Sequence, residues 1–385
     1  MSLKQRFRKG VLDSWADAQL ESLKDKNLFR KLPIRSKMKA VCFCSNDYLG
    51  LSNHSELKKA AIEAIQNFGV GGTGSRLISG TFSSHQELER EIAAWLGKQA
   101  ALFFNSGFHA GVGILPAISE NGVIFSDELN HACLIDGCRL SRAEVLIYKH
   151  QDMEHLEFLL KKIAPKSPAW IVSESLFSME GEKADLKRLA DLKKKYGIFL
   201  FLDEAHAVGV YGKNGGGLSE ELGITESVDL VMGTFSKALG SCGGFVAGNK
   251  KVIDFIINKA RSFIFTTASP PYLPVINKKA LLMMKEMRSE RKKLRKIAVE
   301  VRRLLSSRYA VKGDDSPIIP LILGESKLTL EFSKRLLLEG IWVQGIRPPT
   351  VPEGTSRLRL SLSLSHSSED LNRLFSVLAG ENEKV

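Results

Sequence analysis

From Ala100 to Ala247 short apolar runs alternate with segments of helical period. The runs are Ala100 to Phe104, Val123 to Phe125, Val145 to Tyr148, Trp170 to Val172, Ile198 to Leu202 and the start of Val228 to Gly244. Runs this short and this apolar read as strands buried on both faces. Strand and helix in regular alternation predict an α/β fold with one large, mixed, mainly parallel sheet covered by helices. Such sheets place ligands outside the carboxyl ends of their strands. Polar residues just after the apolar runs are therefore the first candidates for chemistry.

Two of these strand ends carry informative residues. The stretch VDLVMGTFSKALGSCGG opens as a strand and breaks around Lys237 among small and polar residues. Partial desolvation there lowers a lysine's pKa and leaves a nucleophilic amine suited to Schiff-base chemistry. A surface lysine in a turn is the plain alternative. Upstream, GIFLFLDEAHAVGVYG is a strand ending in Asp203, with His206 three residues later. A carboxylate at a buried strand end is costly unless a cation faces it. The pyridinium nitrogen of pyridoxal phosphate is such a cation, and His206 then reaches the ring's phenolic oxygen. The alternatives are a helix N-cap for Asp203 and a satisfied loop histidine for His206.

Asp203-Glu204-Ala205-His206 followed by Thr234-Phe235-Ser236-Lys237 resembles the fold-type I pyridoxal-phosphate enzymes, and more narrowly the α-oxoamine synthases. Other stretches agree in order: Ser45-Asn46-Asp47-Tyr48-Leu49-Gly50, Gly69 to Gly80, Asn105-Ser106-Gly107-Phe108, Asn130-His131-Ala132, and Arg347 to Pro352 with Arg357-Leu358-Arg359. The resemblance implies an enzyme that joins an amino acid (L-alanine or glycine) to an acyl thioester, carried by coenzyme A or an acyl carrier protein, with loss of carbon dioxide. It implies pyridoxal phosphate bound by Lys237, with Asp203 at the ring nitrogen and His131 stacked on the ring. Ser178, His206 and Thr234 are implied cofactor contacts, and hydroxyls near Thr267 reach the phosphate held by a partner subunit, making a homodimer. No metal is implied. Asn105 to Phe108 turns into a helix beginning near His109; free amides and the helix dipole make that turn an anion site for the phosphate, with Gly107 and Phe108 as its binders. An ordinary strand-to-helix turn is the alternative.

The net charge of +12 fits either nucleic acid or anionic substrates and an acidic carrier. No aromatic RNA-binding motif or zinc-finger spacing supports the first, so no nucleic-acid partner is expected. Most of the excess sits in Lys278 to Arg303, which reads as one amphipathic helix with a solvated face. Five cysteines without CxxC spacing argue against a disulfide framework or zinc site and fit a reducing cytoplasm. No apolar run reaches the length of a membrane span. A basic binding module that kept the fold and lost catalysis is the reading from a different class.

Length suits two domains and an arm: 1–50 as an N-terminal arm, 51–284 as the large cofactor domain, 285–385 as a small α/β domain. The arm reads as helical from Ser2 to Lys39, with Trp15, Leu20, Leu23 and Leu28 on one face. By resemblance it covers the active site, and Arg30 is a candidate contact for a substrate carboxylate; an exposed arginine is the alternative. Gly69 to Gly74 satisfies GxGxxG, but a dinucleotide fingerprint needs a preceding strand, and Ser55 to Phe68 carries helical period. In the small domain, Ile318 to Leu323, Ile341 to Val343 and Arg357 to Leu362 read as strands, with Arg359 inward and Arg357 outward. A bidentate guanidinium suits an amino-acid carboxylate, so Arg359 and Thr350 are expected to bind substrate.

Overall fold

A computed structural model describes residues 3–162 and 168–380 of the chain. Its strands are β1 (Val41–Cys42), β2 (Ala100–Phe104), β3 (Val123–Asp127), β4 (Glu144–Tyr148), β5 (Ala169–Glu174), β6 (Phe199–Asp203), β7 (Leu230–Thr234), β8 (Gly244–Gly248), β9 (Ala310–Val311), β10 (Ile318–Gly324), β11 (Ile341–Trp342), β12 (Gly345–Ile346) and β13 (Ser356–Ser361). The large sheet has seven strands in the order β2-β8-β7-β6-β5-β3-β4. All its pairs are parallel except those of β8, which runs against both β2 and β7. The link from β7 to β8 is too short for a crossover, so it closes a hairpin. Strands β3, β5, β7 and β8 are buried at every position, as expected for a sheet with helices on both faces.

From β3 the chain steps out to β4 at the edge and returns on the other side to β5. That reversal leaves a crevice at the carboxyl ends of β3 and β5. Residues after β3, β5, β6 and β7 all open onto that end of the sheet. Glycine 69 follows the helix Ser55–Phe68, and no helix begins until Ser83, so the GxGxxG run lacks the strand-to-helix setting of a nucleotide loop.

The C-terminal region builds a second sheet, β12-β13-β10-β9. The N-terminal segment packs with this region: β1 and β11 form a separate two-stranded parallel sheet, and the Ser361 amide of β13 donates to the Phe43 carbonyl at 2.7 Å. Two expectations are corrected. The arm helix is Leu3–Asp25 and stops well before Lys39. Asn27 takes a left-handed conformation (φ 57°) that ends it, and Trp15, Leu20 and Leu23 are exposed. The basic run is two helices, Tyr272–Glu286 and Arg288–Leu305. The buried Arg291 guanidinium donates to the Met284 carbonyl, taking an acceptor that a continuous helix would have used. Among the described residues, no helix is long and apolar enough to cross a membrane.

One partly buried charge cluster makes stability depend on pH. His150 Nδ1 lies 2.9 Å from Asp127, and its Nε2 lies 3.4 Å from Glu182. Burial works to lower the imidazole pKa, but the hydrogen bond to Asp127 and the nearby carboxylates of Glu182, Asp127 and Glu180 outweigh it and lift it to about 9. A histidine raised in this way contributes its stabilisation in full below its unfolded value of 6.5 and loses it as pH rises through about 9. The melting temperature is expected to fall across that window more steeply in the native protein than in His150→Gln. Parallel pH profiles would rule the assignment out.

Candidate active site

Lys237 lies in the link between β7 and β8, and backbone bonds tie that link shut. The Phe235 amide donates to Gly243, Ser241 to Phe235, and Gly240 to Lys237, each at 2.9 Å. Gly240 turns with φ 64°, and a Cβ there would come within 2.4 Å of the Ser52 amide nitrogen, so only glycine fits. The Thr234 hydroxyl donates to the Gly243 carbonyl at 2.7 Å and accepts from the Ser236 amide at 3.1 Å. Thr234 thus shapes the turn that carries Lys237. Burial lowers the pKa of Lys237, opposed by the charges of Asp203 and Glu174.

Asp203 ends β6 and is buried. Burial pushes its carboxyl up to about 6, while Lys237 pulls the other way. Its Oδ1 accepts the Ala205 amide at 2.8 Å. Turns follow it, and the next helix starts only at Leu218, so Asp203 is not a helix cap. Beside it in register stands Glu174, the last residue of β5. Burial and the neighbouring Asp203 charge raise Glu174 well above the ordinary carboxylate range, and its Oε1 lacks a hydrogen-bond partner. Sequence reading passed over Glu174. Its signal was a carboxylate ending an apolar run, as at Asp203.

His131 caps the helix Ala132–Leu140, its Nδ1 accepting the Cys133 amide at 3.2 Å. That bond leaves the proton of the neutral ring on Nε2. Burial and the Lys237 charge hold its pKa at about 4. His206 is buried, with Nδ1 2.7 Å from the hydroxyl of Tyr48, and burial keeps it neutral. Tyr48, fully buried, also lies 3.2 Å from Asn46 Oδ1. Sequence reading matched the stretch containing Tyr48 and Asn46 without giving either a role.

The helix Gly107–Ile118 begins directly after the β2 turn. Ser106 caps it by accepting the His109 amide at 3.1 Å. The amides of Gly107 and Phe108 come too early in the helix for an intrahelical acceptor, which suits an anion. A Cβ on Gly244 would fall 2.6 Å from the Gly107 nitrogen, so β8 approaches this turn as closely as glycine permits. Thr267 is exposed; its carbonyl accepts from Asn105 Nδ2 at 2.9 Å, and its backbone bridges Ser75 of the glycine-rich loop.

Arg359 is buried in β13 and reaches back across the chain. Its Nε donates to the Ser178 carbonyl at 2.6 Å, and its Nη1 donates to Asn46 Oδ1 at 2.9 Å and Ser361 Oγ at 2.7 Å. Its Nη2 is buried without a partner. Ser178 is buried beside it, offering Arg359 its backbone carbonyl. The expectation that Arg357 points outward is corrected. Residues two apart on a strand share a face, and Arg357 is as buried as Arg359, donating to Glu180 at 2.9 Å.

A cavity of about 830 Å³ opens at Arg359, with Arg30, Thr350, Cys42, Cys44 and Trp342 among its lining residues. The structure therefore brings the three expected substrate residues to one space. Arg30 is exposed at its rim and donates to the Pro348 carbonyl at 3.1 Å, while Arg347 donates back to the Phe29 carbonyl at 3.3 Å. Those bonds fasten the arm over the cavity. Lys237, Asp203 and His131 are not on its wall; Arg359 is, and its charge is felt by both Lys237 and His206.

Residues 39–378 match the family described as aminotransferase class I and II. The chain belongs to that family. Within it, the 8-amino-7-oxononanoate synthase of Geobacter sulfurreducens is 42% identical over 375 residues, covering 94% of this chain and 96% of that one. The solved 8-amino-7-oxononanoate synthase of Francisella tularensis superposes with a TM-score of 0.76 at 29% identity, covering 89% of this chain and 97% of that one. The serine palmitoyltransferase of S. paucimobilis, solved with a pyridoxal-phosphate adduct of myriocin, gives a TM-score of 0.88 at 27% identity, covering 99% and 98%. The fold is thus that of fold-type I enzymes, and among class I and II aminotransferases the chain resembles the α-oxoamine synthases.

Proposed function

We propose that the protein is an 8-amino-7-oxononanoate synthase, condensing L-alanine with a pimeloyl thioester and releasing carbon dioxide and the free thiol. The observation that carries this reading is a buried guanidinium with one free donor, Arg359 Nη2, that lines a substrate-sized cavity and whose charge reaches Lys237. The residues also fit pyridoxal phosphate. Two unpaired amides at the Gly107 helix start suit its phosphate, and an acid beside a desolvated amine suits its ring and aldehyde. When bound, the cofactor supplies an electrophilic aldehyde and a ring that accepts electrons from the amino acid's α-carbon.

The chain's own residues do the rest. Lys237 Nζ, with its pKa lowered by burial, holds or moves a proton. Asp203 supplies a carboxylate for a cationic partner at the strand end. His131, neutral and flat, offers a ring face and an Nε2 proton. The Tyr48–His206 pair presents a hydrogen-bonding group fixed by burial. Arg359 orients the amino-acid carboxylate through Nη2. Ser178, Thr234 and Thr267 are assigned as supporting contacts, and Arg30 and Thr350 as cavity-rim contacts. Coenzyme A or an acyl carrier protein delivers the acyl group; both are acidic and complement the net charge of +12.

The working unit is a homodimer. Val70, Leu77, Ile78 and Phe265 are large apolar side chains left exposed on or beside the loop that Thr267 bridges, an arrangement suited to a second copy. Residues 1–50 form the arm, 51–284 the large domain and 285–385 the small one, with β1 of the arm joining the small domain's β11.

A glycine-using relative, of the 2-amino-3-oxobutyrate ligase or 5-aminolevulinate synthase type, is the competing reading. Thiol and carbon dioxide release, measured with L-alanine and with glycine across several acyl thioesters, separates the two. The expected result is turnover with alanine and the pimeloyl thioester at least about tenfold above glycine, the discrimination that one methyl group provides. Faster turnover with glycine and a short acyl group would overturn it.

A further inference from the structure

The same cavity wall carries two thiols that the proposed reaction does not use. Cys42 and Cys44 are two residues apart, and their Sγ atoms lie 3.7 Å from each other. Alternate side chains along a regular strand stand about 6.5–7 Å apart at the backbone. Here β1 ends at Cys42 and the chain bends through Phe43 and Cys44, which brings the sulfurs together. Both side chains are half-buried, and both line the cavity that holds Arg30, Thr350 and Arg359. The backbone beneath them is pinned: His366 Nε2 lies 3.0 Å from the Cys42 carbonyl, and Phe43 is bonded on both edges, to Trp342 and Ser361. The other cysteines differ. Cys133 and Cys138 are buried in the apolar core, and Cys242 is exposed.

We propose that Cys42 and Cys44 are a dithiol modification site on the substrate-cavity wall, closed to a disulfide by peroxide-class oxidants and reopened by dithiols. The Cys42 thiolate attacks one oxygen of the peroxide. The O–O bond breaks, the sulfur is oxidised to the sulfenic acid, and hydroxide leaves and is protonated to water. Cys44 then attacks that sulfur, the S–O bond breaks, and a second water leaves with the thiol's proton. Two thiols and one hydrogen peroxide thus give one disulfide and two waters. The hydrogen bond from Cys44, with the charge of Arg35, brings the Cys42 thiol down to about 6, while Cys44 rises; one sulfur is set to attack and the other to resolve.

The bond reaches the site through the next residues in the chain. A disulfide needs its sulfurs at about 2.05 Å, so closure must draw together the two side chains and the bend that carries them. Asn46, two residues on, holds Arg359 Nη1 at 2.9 Å and lies 3.2 Å from the Tyr48 hydroxyl. The effect on activity rests on the function proposed above, and the expected loss is in binding of the amino acid. Loss of one charge-assisted hydrogen bond at Arg359 corresponds to a rise of about tenfold or more in the alanine KM.

The test uses purified holoenzyme treated with hydrogen peroxide, then with dithiothreitol. The tryptic peptide Ala40–Lys58 contains both residues and no other cysteine. It is expected to become lighter by two hydrogens, with the alanine KM rising in step, and both changes are expected to reverse with dithiothreitol. Cys42→Ser/Cys44→Ser is compared with itself before and after peroxide, and its ratio of rates is expected to stay near one, whereas Cys242→Ser keeps the native response. Two outcomes overturn the proposal: the peptide keeps both thiols while Cys242 oxidises, or the disulfide forms and the alanine KM does not move. If the reduced protein turns over no alanine at all, the proposed function fails, and the peptide mass still decides whether the dithiol closes.

Discussion

Lys237→Ala is expected to lower turnover by at least 10²–10⁴-fold, roughly the contribution of a positioned proton-transfer group, and to abolish the violet-edge absorbance band of bound pyridoxal phosphate. The fold is expected to survive. The turn around Lys237 is held by the Phe235, Gly240 and Ser241 amides and by the Thr234 hydroxyl, none of which involves the lysine side chain. Removing the amine also removes the positive charge that opposes the rise of the Asp203 and Glu174 pKa values. Both acids are then expected to stay protonated over a wider pH range, weakening Asp203 as a partner for a cationic ring nitrogen. The checks are circular dichroism and melting for the fold, an absorbance spectrum with added cofactor, and thiol release for turnover. A folded variant that keeps its band and turns over within a few-fold of the native rate would sink the assignment. A native protein that never acquires the band would point to a basic binding module that has lost catalysis.

Arg359→Lys is expected to reduce kcat/KM for the amino acid by about 10–100-fold, the worth of one or two charge-assisted hydrogen bonds. The loss should fall mainly in the alanine KM, with the thioester KM little changed. Lysine keeps the charge but cannot reproduce the fork that serves Ser178, Asn46 and Ser361 while leaving Nη2 free. Arg359→Ala is a harsher change. It removes the donor to Ser178, Asn46 and Ser361 and opens a hole in the wall, so melting must be measured beside kinetics. Equal losses in both substrates' KM values, or a loss in kcat alone, would show that Arg359 does not hold the carboxylate.

Much of this site was legible because it sits where strands end. An apolar run that stops at a carboxylate or just before a lysine announces both the strand and the polar residue placed at its tip. Asp203 and Lys237 were found that way, and Glu174 follows the same rule but drew no assignment. What the chain hides is contact across long separations. Nothing near Tyr48 in sequence indicates that its hydroxyl meets His206, or that Asn46 takes a hydrogen bond from Arg359. The break at Met287 was likewise invisible, because the carbonyl that ends the helix is claimed by Arg291, a residue whose composition reads as solvated surface. The outward placement of Arg357 failed for a simpler reason: two residues on a strand complete one period, and the face does not change.

The hairpin geometry of β7 and β8 has a consequence for repeated turnover. Both stems are interior members of one sheet, paired with β6 on one side and β2 on the other. The nine residues between them are therefore anchored at each end to interior strands of the large sheet. If Lys237 holds the proposed cofactor, its amine would release and recapture it from a backbone position fixed by those two stems. The reach of that amine is then set chiefly by the side-chain torsions of Lys237.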